Sequence, residues 1–298
     1  MEHSTFYKSL SFNKLIIIDC LSESDYQTAR RLHENLCDKG YGDGVTLIKI
    51  ENLNDFQSII SDLKDSFNPE FDCQINPIIH IEAHGNQEFM KFPDKSTLSW
   101  QELANDLRII NILMGNQLVS FIGACHGYHF IHNNHTINKF TPVYFCIAPL
   151  EIISGEDIEV AALDFYVSLF STGNLTSSAK LLNGSKFYNY NADYMFHRGF
   201  YEAMQKKHRG KAFKQRRDAL ISEAIRQLGQ TWNNMSAKER QSYLKAARGK
   251  INTSLRSKES LRTIFDKFSN VYMGYSDEGV FEEIWKHMQQ NKQGDLYR

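Results

Sequence analysis

The sequence predicts an α/β fold, with a mostly parallel β-sheet flanked by helices and a helical C-terminal extension. Short aliphatic runs alternate with amphipathic segments over roughly the first two thirds of the chain, and no strand-like run follows them. A length of 298 residues fits one large α/β domain with such an extension. We therefore expect one domain over residues 1–190 and a basic α-helical extension over residues 191–298.

Each element is predicted from its local pattern. Aliphatic runs predict strands at residues 15–19, 45–50, 77–83, 118–124 and 143–148. Apolar residues at helical spacing predict helices at residues 22–38, 54–67, 99–114 and 156–170. Ser24 or Asp25 is expected to cap the first helix, and Ser99 with Glu102 to form a capping box on the third.

Composition and cysteine pattern exclude several classes of protein. Hydrophobic residues make up 42% and charged residues 23%, which is ordinary for a globular protein and argues against a disordered or fibrous one. Five prolines are too few for a Pro-rich linker. The early aliphatic run ends at Asp19, so it is too short for a membrane span or a secretory signal, and we expect a cytoplasmic protein. Five scattered cysteines without a C-x-x-C argue against a disulfide framework or a zinc cluster. No metal and no cofactor are expected.

The net charge of −1 hides a strong asymmetry along the chain. Residues 1–194 contain 13 Lys and Arg against 24 Asp and Glu, whereas residues 195–298 contain 21 against 11. Such a division indicates two regions with different tasks, or an acidic body that docks a basic tail. The tail also contains thirteen large apolar residues at helical spacing, among them Phe196, Ile221 and Phe265. These predict a folded helical unit and not a disordered arm.

Two of the predicted strands stop at residues that can carry chemistry. The third runs into His84-Gly85, and the fourth runs into Cys125-His126-Gly127. Because reactive groups in open α/β sheets lie beyond the carboxyl ends of strands, we expect His84 and Cys125 at one sheet edge. A nearby imidazole makes a thiol a strong nucleophile, and the backbone N–H groups of Gly85 and Cys125 are expected to form an oxyanion hole. This pattern predicts acyl transfer.

These two segments resemble the caspase-like cysteine peptidases. The run Ala124-Cys125-His126-Gly127 resembles the caspase A-C-x-G signature, with Gly123 in place of the usual Gln. Its Cys125 lies 41 residues after His84. Residues 98–103 resemble the helix start between these strands in bacterial caspase-like and CHAT-type domains. The resemblance covers residues 12–185.

The resemblance implies a caspase-like three-layer sandwich and a cysteine endopeptidase, with His84 as general base and Cys125 as nucleophile. It implies a protein or peptide substrate, an activating ligand or partner protein, and an effector role in antiphage (antiviral) defence. Because Gly123 replaces the usual Gln of the signature, the resemblance does not determine which substrate side chain next to the cleaved bond is preferred. The alternative is a non-catalytic caspase-like fold that serves as an interaction or nucleic-acid-binding module.

Two carboxylates and a group of histidines near these motifs have open roles. Asp19 ends the first strand, where it is expected to contact substrate or to be an ordinary strand-end carboxylate. Glu82 lies two residues before His84, so both side chains are expected on the same face of the strand. Glu82 is therefore considered as a residue that orients the site. A zinc site is considered at histidines that recur every third residue, but the glycine and asparagines among them favour a mobile loop. These are His126, His129, His132 and His135.

The basic tail has two interpretations. Its cluster of cations over residues 206–217 forms a solvated face or contacts phosphates. Residues 225–243 are similar to the middle of an HMG box, a domain that bends DNA through the minor groove. Ser236 and Glu239 in that stretch also match a common capping box. We expect a partner-binding or regulatory helical module, with nucleic acid the less favoured partner and no membrane contact.

Overall fold

A computed structural model describes most of the chain, and Cys73 and His135 lie outside the described part. The described residues are 12–67, 75–134, 136–182, 184–207 and 210–290. They divide into two compact units. The sheet unit comprises residues 12–193 with 272–274, and the helical unit comprises residues 194–271 with 275–290.

All strands among the described residues belong to the sheet unit. These are β1 (Lys14–Asp19), β2 (Val45–Lys49), β3 (Pro77–Glu82), β4 (His84–Gly85), β5 (Phe89–Lys91), β6 (Thr97–Ser99), β7 (Val119–Gly123), β8 (Phe145–Pro149) and β9 (Phe187–Asn191). Its helices are α1 (Thr28–Asp38), α2 (Leu53–Asp65), α3 (Trp100–Leu113), α4 (His129–His132), α5 (Gly155–Thr172) and α6 (Leu175–Lys180).

A six-stranded sheet in the order β2-β1-β3-β7-β8-β9 forms the centre of this unit. All its pairs are parallel except that of β8 with β9. Every residue of β3 and β7 is buried, which explains their nearly continuous apolar sequences. The predicted α/β class, with a mostly parallel sheet flanked by helices, is confirmed. The finer caspase-like assignment stays a prediction.

The strand order also determines which helices share a face. The chain moves in one direction from β1 to β2 and in the opposite direction from β2 to β3, β7 and β8. Because parallel crossovers are right-handed, α1 lies on one face of the sheet, and α2 and α3 lie on the other. The side chain of His80 in β3 contacts Tyr166 of α5, at 3.1 Å from its hydroxyl. This three-layer arrangement is compatible with the predicted sandwich.

Two local predictions were wrong, and one small sheet was not predicted. The first helix begins at Thr28, after a loop, and its N-cap is Gln27 and not Ser24 or Asp25. The segment after Cys125, predicted as a loop, contains the short helix α4. A small antiparallel sheet, β4-β5-β6, was not predicted because its strands have two or three residues, too few for a periodic pattern.

The helical unit has no strand in its described residues, as the sequence predicts. Its helices are α7 (Ala192–Lys207), which starts in the sheet unit, α8 (Gly210–Leu228), α9 (Gln230–Asn234), α10 (Ala237–Arg256), α11 (Lys258–Met273) and α12 (Glu278–Gln290). An aromatic cluster supplies part of its core: Phe196, Phe200, Phe265 and Phe281. Most of α8 and α10 is exposed, including Leu220. Across the described chain, no helix combines the length and apolar character needed to cross a membrane.

A buried asparagine joins the end of α3 to the start of β7. Asn111 donates to the side chain of Asn116 at 2.9 Å and to the carbonyl of Thr141 at 3.1 Å. It accepts a hydrogen bond of 3.0 Å from the N–H of Leu118, directly before β7. Asn111 is fully buried, so its hydrogen bonds hold the α3–β7 turn, in which Asn116 adopts a left-handed φ of 61°.

Replacement of this asparagine tests that role. Asn111→Ala is expected to lower the free energy of unfolding by about 2–3 kcal/mol, because it leaves several buried polar groups without partners. Gln101→Ala, an exposed change in the same helix, is expected to stay within about 0.5 kcal/mol of the unchanged chain. Urea denaturation of the full chain measures both, and equal midpoints would contradict the role given to Asn111.

Candidate active site

His84 and Cys125 lie at the carboxyl ends of two adjacent strands. In the pairing of β3 with β7, Glu82 lies opposite Gly123. His84 and Cys125 are each two residues further along, at the same edge of the sheet. The two chains remain close beyond the paired residues, since a Cβ on Gly85 would overlap the carbonyl oxygen of Cys125. Glycine at position 85 thus permits this approach.

A sharp turn presents the Cys125 thiol at this edge. The N–H of Gly127 donates to the carbonyl of Ala124 at 2.9 Å, and His126 adopts the left-handed region with φ 60°. The N–H of His126 donates to the carbonyl of Glu151 at 3.1 Å, which ties the turn to the loop after β8. Since a non-glycine residue rarely adopts this conformation, the turn is held by its surroundings.

The Cys125 thiol is half-buried and contacts the loop after β8. Its Sγ lies 3.6 Å from the carbonyl oxygen of Ile153 and 3.5 Å from the N–H nitrogen of the same residue. Within the described chain no hydrogen bond joins this thiol to His84. Catalytic hydrogen bonds often form or shorten only when substrate binds.

The other described cysteines lie in different environments. Burial raises the pKa of the Cys20 thiol far above its ordinary value, and raises that of Cys146 to about 12. Both thiols therefore stay protonated and inaccessible at neutral pH. Cys37 is exposed on α1, with its sulfur 3.7 Å from Nε2 of His33. Cys125 is the described thiol that is accessible at the carboxyl edge of the sheet.

The sequence predicts an oxyanion hole formed by the backbone N–H groups of Gly85 and Cys125. The N–H of Cys125 has no acceptor among the described residues. In the β4–β5 ladder, the N–H of Asn86 donates to the carbonyl of Phe89 at 3.0 Å. Because bonded and non-bonded pairs alternate in an antiparallel ladder, Gly85 opposite Met90 directs its N–H away from β5. The role of these N–H groups stays a prediction.

A carboxylate that the sequence did not single out for chemistry contacts His84. Oδ2 of Asp25 lies 3.0 Å from Nε2 of the imidazole, and the Asp25 side chain is one quarter exposed. Burial opposes ionisation of Asp25, but hydrogen bonds from the Ser22 N–H and from His84 outweigh it and lower the pKa. The sequence predicts a helix cap at Ser24 or Asp25, because a short polar or acidic side chain before a helix is the usual cap signal.

Asp19 lies at the same edge but is engaged by its own loop and by a lysine. Its carboxylate accepts a hydrogen bond of 3.0 Å from the N–H of Leu21 and lies 3.1 Å from Nζ of Lys49. The side chain is 4% exposed. These contacts support a structural role for the carboxylate, and the predicted substrate contact stays a prediction.

Glu82 lies behind the edge, in a buried polar network. Its carboxylate accepts from Thr28 Oγ1 and lies 2.8 Å from Nε2 of His80. Burial raises the pKa of Glu82, and the contact with His80 opposes that rise. A Cβ on Gly123 would lie 3.1 Å from Cγ of Glu82, so this glycine leaves room for the carboxylate. Glu82 ties the start of α1 to β3 without contacting His84.

The histidines after Cys125 form a row of rings. The ring centroids of His126 and His129 are 5.8 Å apart, and those of His129 and His132 are 6.1 Å apart. Burial, together with these two neighbours, lowers the pKa of His129. Among the described residues, no group of three potential ligands is arranged to hold a metal ion.

The comparisons with known proteins concern the C-terminal part of the chain. Residues 189–260 match the family model of the HMG-box domain. The match contains residues 225–243, whose sequence resembles the middle of that domain, but it covers a minority of the chain. No curated protein matches the sequence.

The close approach at Gly85 gives a test of the site geometry. Gly85→Ala is expected to lower the reactivity of Cys125 and to cost about 1–3 kcal/mol of stability, because the added methyl must displace the Cys125 carbonyl. Gly44→Ala, where a Cβ meets no atom within 4 Å, is the matched control and is expected to change neither. Urea denaturation and alkylation of Cys125 followed by mass spectrometry measure the two effects. Unchanged Cys125 reactivity in Gly85→Ala would contradict the described approach.

Proposed function

We propose that the sheet unit is a cysteine endopeptidase in which Cys125 attacks the carbonyl carbon of a peptide bond and His84 acts as general base. The observation that supports this most is the register of β3 and β7, because His84 and Cys125 each follow the last paired residue of these adjacent strands by two positions. The half-exposed thiol, held in a strained turn, supports the same role. The resemblance to caspase-like peptidases supports the choice of peptide substrates.

The reaction begins with a proton transfer between the two side chains. His84 takes the proton of the Cys125 thiol, and the thiolate then forms a bond to the substrate carbonyl carbon. The developing oxyanion accepts hydrogen bonds from the N–H groups of Gly85 and Cys125. Imidazolium returns the proton to the leaving amine as the C–N bond breaks, and water then hydrolyses the thioester. Apart from the substrate and the hydrolytic water, the steps as written use groups of this chain.

Loss of either reacting side chain tests this proposal. Cys125→Ala and His84→Ala are each expected to abolish labelling by a mixture of peptidyl acyloxymethyl ketones, because the two groups act as a unit. Each is also expected to abolish cleavage of a peptide library analysed by mass spectrometry. Thermal unfolding of each variant measures whether it folds like the unchanged chain.

Cys37→Ala is the matched control, since it removes an exposed thiol on α1 that lies in another environment. It is expected to label like the unchanged chain. Labelling of Cys125→Ala at the full rate would show that Cys125 is not the nucleophile. Absence of labelling in the unchanged chain, tested with candidate activators, would favour the non-catalytic alternative.

A second function, binding of nucleic acid, is favoured by the HMG-box match at residues 189–260. We propose that the helices α8 to α10 contact the phosphate backbone. Residues 210–256 contain eleven Lys and Arg against three Asp and Glu. Electrostatic contact of this kind releases counterions and weakens steeply with salt.

One face of α10 carries suitable cations. Lys238, Lys245 and Arg248 are exposed and recur at spacings of seven and three residues, which places them near one side of the helix. No ion pair engages these three side chains within the described chain. Arg240 is committed elsewhere, because it donates to the carbonyls of Trp232 at 3.1 Å and Asn233 at 2.8 Å.

The salt dependence of binding tests this second function. A combined Lys238→Gln, Lys245→Gln and Arg248→Gln variant is expected to reduce the slope of log affinity against log salt by about 1 for each lost phosphate contact. Electrophoretic retardation of a labelled duplex over a salt series measures it. Lys39→Gln with Lys139→Gln and Lys180→Gln makes the same charge change on the sheet unit and is expected to keep the slope. Equal slopes in the two variants would contradict binding through α10.

A further inference from the structure

A third side chain at the candidate site comes from the loop between β1 and α1. The strand order places this loop at a topological switch point, because the chain leaves β1 toward one face of the sheet and leaves β3 toward the other. Asp25 and His84 lie on the two sides of this crevice. Their side chains meet across it, with 3.0 Å between Oδ2 and Nε2.

The loop that carries Asp25 is folded around its carboxylate. The N–H of Ser22 donates to Oδ2 of Asp25 at 2.7 Å, and the N–H of Asp25 donates to the Ser22 carbonyl at 2.9 Å. The side-chain amide of Gln27 closes the loop by donating to the carbonyls of Ser22 and Asp25 at 2.7 and 3.0 Å. These hydrogen bonds hold the carboxylate in one position.

Neighbouring residues anchor the loop to the rest of the sheet unit. Tyr26 donates its hydroxyl to Glu159 of α5 at 2.7 Å, and the guanidinium of Arg31 lies over the Tyr26 ring at 4.4 Å. Thr28, at the start of α1, donates to the buried Glu82 of β3. Asp25 is therefore fixed relative to β3, the strand that leads into His84.

We propose that Asp25 is the positioning residue of the reaction, which orients the His84 imidazole and selects its tautomer. This inference rests on the proposed cysteine endopeptidase. An ionised carboxylate only accepts hydrogen bonds, so Nε2 of His84 carries the hydrogen that points to Oδ2. In the neutral ring the lone pair is then on Nδ1, which becomes the atom that takes the thiol proton. After transfer, the carboxylate stabilises the imidazolium and itself remains ionised.

The contact has features that an adventitious surface ion pair lacks. The Asp25 side chain is only 25% exposed and is held by the Ser22 N–H, although the His84 side chain that it contacts is 61% exposed. The Asp25 carboxylate does not cap α1, which begins with Gln27 as its N-cap. Three adjacent strands, β1, β3 and β7, thus each lead into one member of the set Asp25, His84 and Cys125.

Alkylation of Cys125 by iodoacetamide over a pH series tests this role without a known substrate. Asp25→Asn keeps the shape of the side chain but removes the charge. We expect the pH midpoint of alkylation to rise by about one unit and the rate at pH 6.5 to fall about tenfold, since imidazolium loses its stabilising partner. Asp25→Glu is expected to restore part of the rate. Peptide mapping by mass spectrometry separates Cys125 from the exposed Cys37.

Glu23→Gln is the matched control, because it removes a negative charge from the same loop at a side chain that is 83% exposed. It is expected to leave the pH profile of Cys125 alkylation unchanged. An effect equal to that of Asp25→Asn would show that any negative charge in the loop has the same effect, which would contradict a specific role for Asp25. An unchanged profile in Asp25→Asn, with a lowered rate in His84→Ala, overturns the role of Asp25 and leaves the dyad intact. An unchanged rate in His84→Ala overturns the proposed function itself.

Nitrogen-15 NMR of the histidine rings gives a readout that is independent of thiol reactivity. We expect His84 in the unchanged chain to hold its hydrogen on Nε2 above the pH at which the ring loses its charge. In Asp25→Asn, the two tautomers are expected to mix. An Nδ1-protonated ring in the unchanged chain would overturn the inference. If Asp25→Asn unfolds, as judged by thermal denaturation, the tautomer of the unchanged chain and the profile of Asp25→Glu decide the question.

Discussion

The parallel pairing of β3 with β7 is the interaction on which the candidate site depends. Two fully buried strands hydrogen-bond in a single register, and the chain beyond each strand begins at the same edge. A slip of one residue would move every side chain to the opposite face and would separate His84 from Cys125. Burial of both faces makes such a slip expensive, so the core of the sheet determines the geometry of groups that are themselves exposed.

The second constraint is the close approach of backbone to backbone at that edge. Gly85 lies against the carbonyl of Cys125, and Gly123 leaves space for the buried Glu82. Glu82 in turn holds Thr28 at the start of α1. Buried polar groups of this kind are costly unless they are hydrogen-bonded, so the network favours one placement of the loop that precedes α1. The position of Asp25 therefore depends on the hydrogen bonds of its own loop and on this buried network behind it.

The helical unit has a different physical character. Its aromatic cluster is buried, whereas α8 and α10 expose most of their residues and concentrate positive charge. The exposed cations Lys238, Lys245 and Arg248 of α10 act at long range and are screened by salt, as the proposed contact with a phosphate backbone requires. The HMG-box match falls on this part of the chain. One chain therefore combines two proposed activities, and each of them has its own experimental test.

The sequence by itself determined the alternation of strands and helices, the parallel character of the sheet and the candidates His84 and Cys125. Apolar periodicity and strand-end glycines are local signals, and they were sufficient for those predictions. Only the tertiary structure placed Asp25 against His84, whereas the local pattern predicted a helix cap there. Only the tertiary structure, likewise, determined the contacts of Asp19 and Glu82. It also revealed the small sheet that contains His84, whose strands are too short for a periodic signal. The physical reason is that a carboxylate acquires its role from the group that faces it, and strand order, which brings distant segments together, is not encoded in any local pattern.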